Sequence, residues 1–322
     1  VSVPPASPAT IDDAARAIAI AREEGVSVLP RGGGTSQCGQ TVGAALVLDH
    51  SKHMRRVLRH DAEAMTVTVE PGIVLDALNA WLKPHGVWFP VDVSTSAQCT
   101  LGGMAGNNSC GSRSIAYGNM VHNVAAIDAL LCDGSTARFG PEAGMRDAPA
   151  NVQRLLAGLR AIGERERDAI EANVPTVLRR VGGYNIDVFR PMSVRPYTRD
   201  GSVNFAHLLV GSEGTLAWTR ELTLHVATIS FGERSRVSSA PPQPTSPVGR
   251  SGKSAEKKRG ARFIGAPKCT GHGERRASSN SYRSSAPFGS RRRARGIYRR
   301  REFVEMGILA AKNTYPQACL GE

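Results

Sequence analysis

The stretch "PRGGGTSQCGQ", residues 30–40, sets three consecutive glycines directly behind a short apolar run and follows them with two hydroxyl side chains. A glycine triplet costs conformational entropy on folding, so a chain that keeps one needs positive φ angles or a very close approach of its backbone to something else. Gly33, at the centre of the triplet, is expected to sit at positive φ facing a ligand. Strand followed by glycines suggests a phosphate loop, and two patterns can be compared residue by residue. A P-loop requires a Lys after the last Gly, whereas Gly34 is followed by Thr35; a Rossmann fingerprint requires Gly where Gln37 stands, and no helical period follows. Neither fits. The mechanism they share remains: successive backbone N–H groups in a glycine-rich turn form a concave donor array for phosphate oxygens, with Thr35 and Ser36 adding hydroxyls. A tight surface turn is the alternative on these residues alone.

Two further stretches bear on the choice. "TLGGMAGNNSCGSRSIAYG" (100–118) is small enough throughout for a flat molecule to lie against its backbone, with amide donors facing it. "LLVGSEGTLAW" (208–218) again places glycines at a strand end, around Glu213. Three such loops point to one ligand bound along its length.

Around them the chain reads as α+β. Thr10 is the expected N-cap, with Asp13 three residues on, of an amphipathic helix that Gly25 stops. "VSVLP", "AALVLD" (44–49) and "MTVTVE" (65–70) read as strands and residues 74–86 as a helix ended by Pro84 and Gly86. Residues 125–139 read as a hairpin turning on Asp133-Gly134, and 151–173 as one longer helix.

Charge divides the chain of 322 residues. Residues 1–228 carry 21 Lys+Arg against 22 Asp+Glu, residues 229–301 carry 19 against 3, and residues 302–322 carry 1 against 3. The middle segment, rich in Arg, Ser, Pro and Gly without an apolar period, is expected to be a disordered basic tail, and 302–322 a short helix. A basic run attracts phosphate whatever its origin, so nucleic-acid binding is a competing reading, weaker than the cofactor one. The six cysteines show no metal-ligand spacing and read as reduced thiols. Without a long apolar run or a leader, the chain is expected to be cytoplasmic, or peripheral to the inner membrane. His53, His60, His85 and His122 read as surface or cap residues.

"PRGGGTSQCGQ", "FPVDVSTSAQCTLGGMAGNNSCGSRSIAYG", "RRVGGYNID" and "AHLLVGSEGTLAWTRELTL", in that order, resemble the flavin-binding domain of FAD-linked oxidases, the PCMH or vanillyl-alcohol-oxidase type of two α/β subdomains. In particular they are similar to bacterial FAD and iron-sulfur dehydrogenases related to D-lactate and D-2-hydroxyglutarate dehydrogenases. The resemblance covers residues 1–228. It implies that Arg31, Gly32, Gly33, Gly34, Thr35, Ser36, Gly39 and Gln40 hold the FAD pyrophosphate. Pro90, Asp92, Ser94, Thr95, Thr100, Leu101, Gly102, Gly103, Asn107, Gly111, Ser112, Tyr117 and Gly118 would line the isoalloxazine and ribityl, and Glu213, Gly214 and Leu216 would close the adenine end or ring edge. Some relatives attach FAD through a histidine of the first loop; Gly33, Gly34 and Thr35 stand here, so the flavin is expected to be noncovalent.

The implied reaction moves a hydride from a 2-hydroxy acid to FAD, with electrons passing on to a quinone, a cytochrome or an iron-sulfur module. Asn107, Asn108 and Arg113 are the residues expected to face the substrate. Relatives add a substrate-binding cap domain and, in the large ones, iron-sulfur cysteines. The composition switch after "LTLHVAT" looks like out-of-frame translation, so a fragment is expected, either inactive alone or only flavin-binding.

Overall fold

A computed structural model describes residues 5–190 and 194–229; the expected tail and C-terminal helix lie outside the described residues. The first helix, α1 (Ile11–Glu23), starts with a capping box in which the Asp13 N–H donates to Thr10 Oγ1 at 3.1 Å and the Thr10 N–H to Asp13 Oδ2 at 3.0 Å. Its Ala14 and Ala21 are buried, and Gly25 follows at φ 65°. Strands β1 (Val28–Arg31) and β2 (Leu46–Asp49) pair in parallel with Val28 opposite Leu46, so the glycine loop is the connection between two parallel strands and leaves from the C-terminal end of β1.

Next come β3 (Val57–Asp61), β4 (Thr66–Val69), α2 (Leu75–Leu82) with a 3-10 turn closed by Gly86 at φ 73°, and the short β5 (Val87–Trp88). Then α3 (Leu101–Asn107), α4 (Ser114–Tyr117) and α5 (Met120–Asn123) lead into the hairpin β6 (Val124–Leu130) and β7 (Thr136–Phe139), with Gly134 at φ 84° in its turn. Helices α6 (Ala150–Arg165), α7 (Arg167–Asn173) and α8 (Ala206–Leu209) precede β8 (Trp218–His225) and β9 (Ala227–Thr228).

A five-stranded antiparallel sheet runs β3-β4-β8-β6-β7, so β8, almost the last strand in sequence, fills the central position between β4 and β6. Val67, Val69, Ile127, Leu222 and Leu224 of that sheet pack with Leu75, Leu78 and Leu82 of α2 and with Phe89, Leu101 and Met104 in the main core. A second cluster unites Ala14 of α1, Leu48 of β2, Met54, Leu130 and Trp218.

Two expectations need correction. The helix read over 151–173 is two helices, because Glu166 takes φ −92°, ψ 14° and serves as the N-cap of α7. The apolar period of Leu155, Leu159 and Ile162 lapses through "GERERDA", whose charged residues follow buried Gly163, and no large apolar side chain returns until Ile170. The stretch read as an open glycine loop contains α3. No helix among the described residues is long and apolar enough to cross a membrane.

Candidate functional site

The first loop leaves β1 beside an anchored carboxylate. Arg31 Nη2 donates to Asp49 Oδ2 at 2.8 Å, while Ser51 donates to Asp49 Oδ1 through its N–H and its hydroxyl at 2.9 and 2.6 Å. Partial burial alone would raise the Asp49 pKa; the hydrogen bonds from Ser51 and Arg31 outweigh it and hold the carboxyl below its usual range.

The glycines then divide their work. A Cβ on Gly32 would lie 2.0 Å from Thr100 Oγ1, and one on Gly33 would lie 2.1 Å from the Gln98 carbonyl oxygen, so these two let the first loop touch the second. Gly33 is not at positive φ. Gly34 is, at 63°, as is Gly39 at 88°, and a Cβ on Gly34 would meet nothing within 4 Å. Among the described residues the backbone N–H groups of Gly32 to Cys38 have no protein acceptor, which leaves a row of donors open.

The second stretch uses its amides differently. Thr100 caps α3 by accepting from Gly103 N at 3.3 Å, the Leu101 N–H donates to Ile73 O at 3.0 Å and the Gly102 N–H to Pro71 O at 2.8 Å. A Cβ on Gly102 would sit 2.6 Å from Pro71 Cβ, so this glycine seats the helix start on the 71–73 turn. Within the stretch 100–118 expected to face a ligand with its amides, those of Leu101, Gly102 and Gly103 are consumed within the protein. The third stretch closes the other end of α3, where Gly211 N donates to Ala105 O and Glu213 N, at φ 52°, to Gly106 O, both at 2.9 Å. Asn107 Nδ2 adds a bond to Glu213 Oε1 at 3.1 Å.

All three stretches line one cleft of about 400 Å³. Of the residues singled out in the sequence, Arg31, Gly32, Gly33, Gly34, Thr35, Ser36, Gln40, Ser94, Thr95, Thr100, Gly102, Gly103, Asn107, Glu213 and Gly214 lie on its wall. The others do not. Gly39 is in a neighbouring turn and Leu216 is half-buried outside the lining; Pro90 and Leu101 are buried. Asp92 accepts from Ser112 Oγ at 2.6 Å and from the Arg113 N–H at 2.9 Å, with Gly111 pressed against its carbonyl, so these four tie one turn together.

Arg113 lies 4.8 Å over the Trp88 ring, Tyr117 meets the same ring edge-on at 5.3 Å, and Gly118 turns at φ 81° against His122. Asn108, expected to face substrate, is fully buried: its Oδ1 accepts from Val121 N and its Nδ2 donates to Arg180 O. A left-handed residue at a helix C-terminus needs a short amide that can bond locally, and Asn108 at φ 54° fills that position.

The sequence reading missed His50, Cys110, Val181 and Ser212, which also line the cleft. His50 is 5% exposed; burial pushes its pKa down to about 4 against the opposing Asp49 charge and Arg31 carbonyl. Its Nε2 accepts from Trp218 Nε1 at 2.7 Å, a partner 168 residues away that no local spacing reveals. Val181 is held by its neighbour: the Arg180 carbonyl accepts from the side chains of Asn108 and Asn119, and its guanidinium pairs with buried Asp187 and with Tyr197. His122 is a cap, its Nδ1 accepting from Asn119 N at 3.1 Å.

An α+β domain that turns a row of unpaired backbone donors into a cleft built by glycine loops is a domain for a phosphate-bearing cofactor. Residues 6–140 match the FAD binding domain family, and the chain carries an FAD-binding domain of the PCMH type with FAD as its cofactor. Over 230 residues the chain is 33% identical to the D-2-hydroxyglutarate dehydrogenase of Pseudomonas putida, an alignment covering 69% of this chain and 22% of the relative. It is 31% identical over 229 residues to the enzyme of that name from Escherichia coli, again covering 69% and 22%. Over 156 residues it is 34% identical to glycolate oxidase subunit GlcD of Bacillus subtilis, covering 47% of this chain and 33% of that one. The chain thus spans about 22% of the length of the D-2-hydroxyglutarate dehydrogenases it matches.

The residues present suit the cofactor on their own chemistry. Besides the unpaired amides, Gln40 Oε1 is buried without a hydrogen-bond partner while its Nε2 donates to Ser36 Oγ at 2.6 Å, and the space over Gly34 is open.

Proposed function

We propose that this chain is the flavin-binding portion of an FAD-dependent 2-hydroxy acid dehydrogenase. Its substrate would be a small D-2-hydroxy acid, its electron acceptor a quinone, a cytochrome or an iron-sulfur module, and its place the cytoplasm or the cytoplasmic face of the inner membrane. The observation that carries the reading is the convergence of three glycine stretches, far apart in sequence, on one cleft lined by Gly32 to Gln37, whose backbone N–H groups have no acceptor among the described residues. Bound FAD supplies the two-electron acceptor for the substrate's α-hydrogen.

The chain supplies the rest. The first loop offers amides and the Thr35 and Ser36 hydroxyls to the pyrophosphate, and Gln40 orients Ser36 through their mutual hydrogen bond. Ser94, Thr95 and Asn107 give the wall polar contacts for the ribityl and ring, and Glu213 fixes Asn107. His50, the one imidazole on the wall among the described residues, has Nε2 engaged by Trp218 and is held neutral, which supports a noncovalent flavin.

Titration of the purified chain with FAD, followed by quenching of flavin fluorescence, tests the binding; acid precipitation then releases all the colour into the supernatant. A chain that quenches no flavin is not this kind of protein. With FAD bound, anaerobic mixing with D-lactate, D-2-hydroxyglutarate or glycolate bleaches the flavin if the acid reaches it productively. Bound flavin that only dithionite bleaches restricts the chain to flavin binding.

A further inference from the structure

We propose that Arg179 is the cation that receives the carboxylate of the acid substrate at the cleft, a role that rests on reading the cleft as the flavin site. Arg179 is exposed, and Nη2 donates to Cys110 Sγ at 2.9 Å; Cys110 and Val181, two residues beyond Arg179, both line the cleft. The other cations of this region are committed. Arg31 is paired with Asp49, Arg180 with Asp187 and Tyr197, and Arg113 lies over Trp88. Asp92 is close enough for Arg179 to sense its charge, but its two oxygens are taken by Ser112 and the Arg113 N–H and it makes no ion pair with Arg179.

A guanidinium has five N–H donors in a planar fork, and a thiol sulfur is a weak acceptor for one of them. A carboxylate accepts two in parallel and is the better partner by geometry and charge. The backbone that carries Arg179 is fixed, since the next carbonyl accepts from both Asn108 and Asn119. An incoming acid would therefore displace a thiol from a cation held beside two residues of the cleft wall.

Cys110 reports on this directly. Iodoacetate and iodoacetamide alkylate a thiolate by the same displacement of iodide and differ in that one carries a carboxylate. Their rate ratio at Cys110, compared with the ratio at exposed Cys132 in the same molecule, measures carboxylate capture and cancels any effect of Arg179 on the thiol itself. Peptide mass spectrometry resolves each site, and buried Cys99 stays unlabelled in every folded variant.

The expected preference for iodoacetate at Cys110 is about tenfold over Cys132. Arg179→Gln reduces it to the Cys132 value, Arg179→Lys keeps part of it, and D-lactate and D-2-hydroxyglutarate slow the reaction competitively. Equal ratios at the two cysteines of the wild type, or an unchanged ratio in Arg179→Gln, overturn the proposal. So does a preference that no 2-hydroxy acid competes with. The experiment needs no bound FAD, so its failure leaves the flavin reading standing, and a failed FAD titration is detected separately.

Discussion

Gly33 and Gly34 are adjacent and irreplaceable for opposite reasons. The backbone of Gly33 suits any residue, but its Cβ would lie 2.1 Å from the Gln98 carbonyl oxygen, so any side chain forces the first and second loops apart. Gly34 has room, with nothing within 4 Å, but stands at φ 63°, where an L-residue is strained by about 1–2 kcal/mol. Gly33→Ala is therefore expected to destabilise the free protein by about 2–3 kcal/mol through overpacking and to weaken FAD binding with it. Gly34→Ala should cost about 1 kcal/mol and act on cofactor affinity through the methyl placed over the open loop. Thermal melts without FAD separate the two, and equal losses would mean that Gly33 is not wedged. Sequence alone assigned the triplet to ligand approach; that half of the glycine requirement comes from another protein loop could not be read, because Gln98 lies 65 residues further on.

Among the elements, α3 was hidden from the sequence. "LGGMAGN" places three glycines in seven residues, each lowering helix propensity by about 1 kcal/mol relative to Ala, and the carbonyls that satisfy its first amides belong to Ile73 and Pro71. By contrast, α1 was legible because Thr10 and Asp13 carry their own capping partners, and the strands at 28–31, 46–49 and 66–69 because apolar β-branched residues mark them. β3 was not legible, since "VLRHD" at the sheet edge keeps little apolar alternation. For the cleft, local motifs located the first loop and the existence of one shared site; the His50–Trp218 and Cys110–Arg179 pairs, 168 and 69 residues apart, depend on the finished fold. The cap of α3 can be tested by Thr100→Ala, which removes the acceptor for the Gly103 N–H and the group that Gly32 packs against. A loss of about 1 kcal/mol in urea unfolding is expected, with a proportionally larger effect on FAD affinity, because α3 carries Asn107 and the contact with the first loop. A variant as stable as the wild type would show that the 71–73 carbonyls alone hold the helix start.

At the scale of the molecule, burial of imidazoles ties stability to pH. His50 joins Trp218 to the start of the first loop, and His207 bonds the Val124 carbonyl at 3.1 Å, its Nδ1 buried without a partner. Burial lowers both pKa values from 6.5 to about 4, against favourable contributions from Asp49 and the Arg31 carbonyl at His50 and from the Val124 carbonyl at His207. Between those pH values the unfolded chain binds protons that the folded chain refuses. Stability is therefore unaffected by these groups above pH 6.5, falls as pH drops below it, and has lost roughly 3 kcal/mol per histidine by about pH 4. Urea unfolding at pH 7 and pH 5 measures the loss, and His207→Gln, which removes one of the two titrations, should show a shallower dependence. Because His50 lies on the cleft wall, FAD release on acidification should track the same curve. Unfolding free energies that stay level from pH 7 to 5 would mean that these imidazoles accept protons in the folded chain, and that neither the Trp218 bond nor the wall around His50 is as closed as the structure shows.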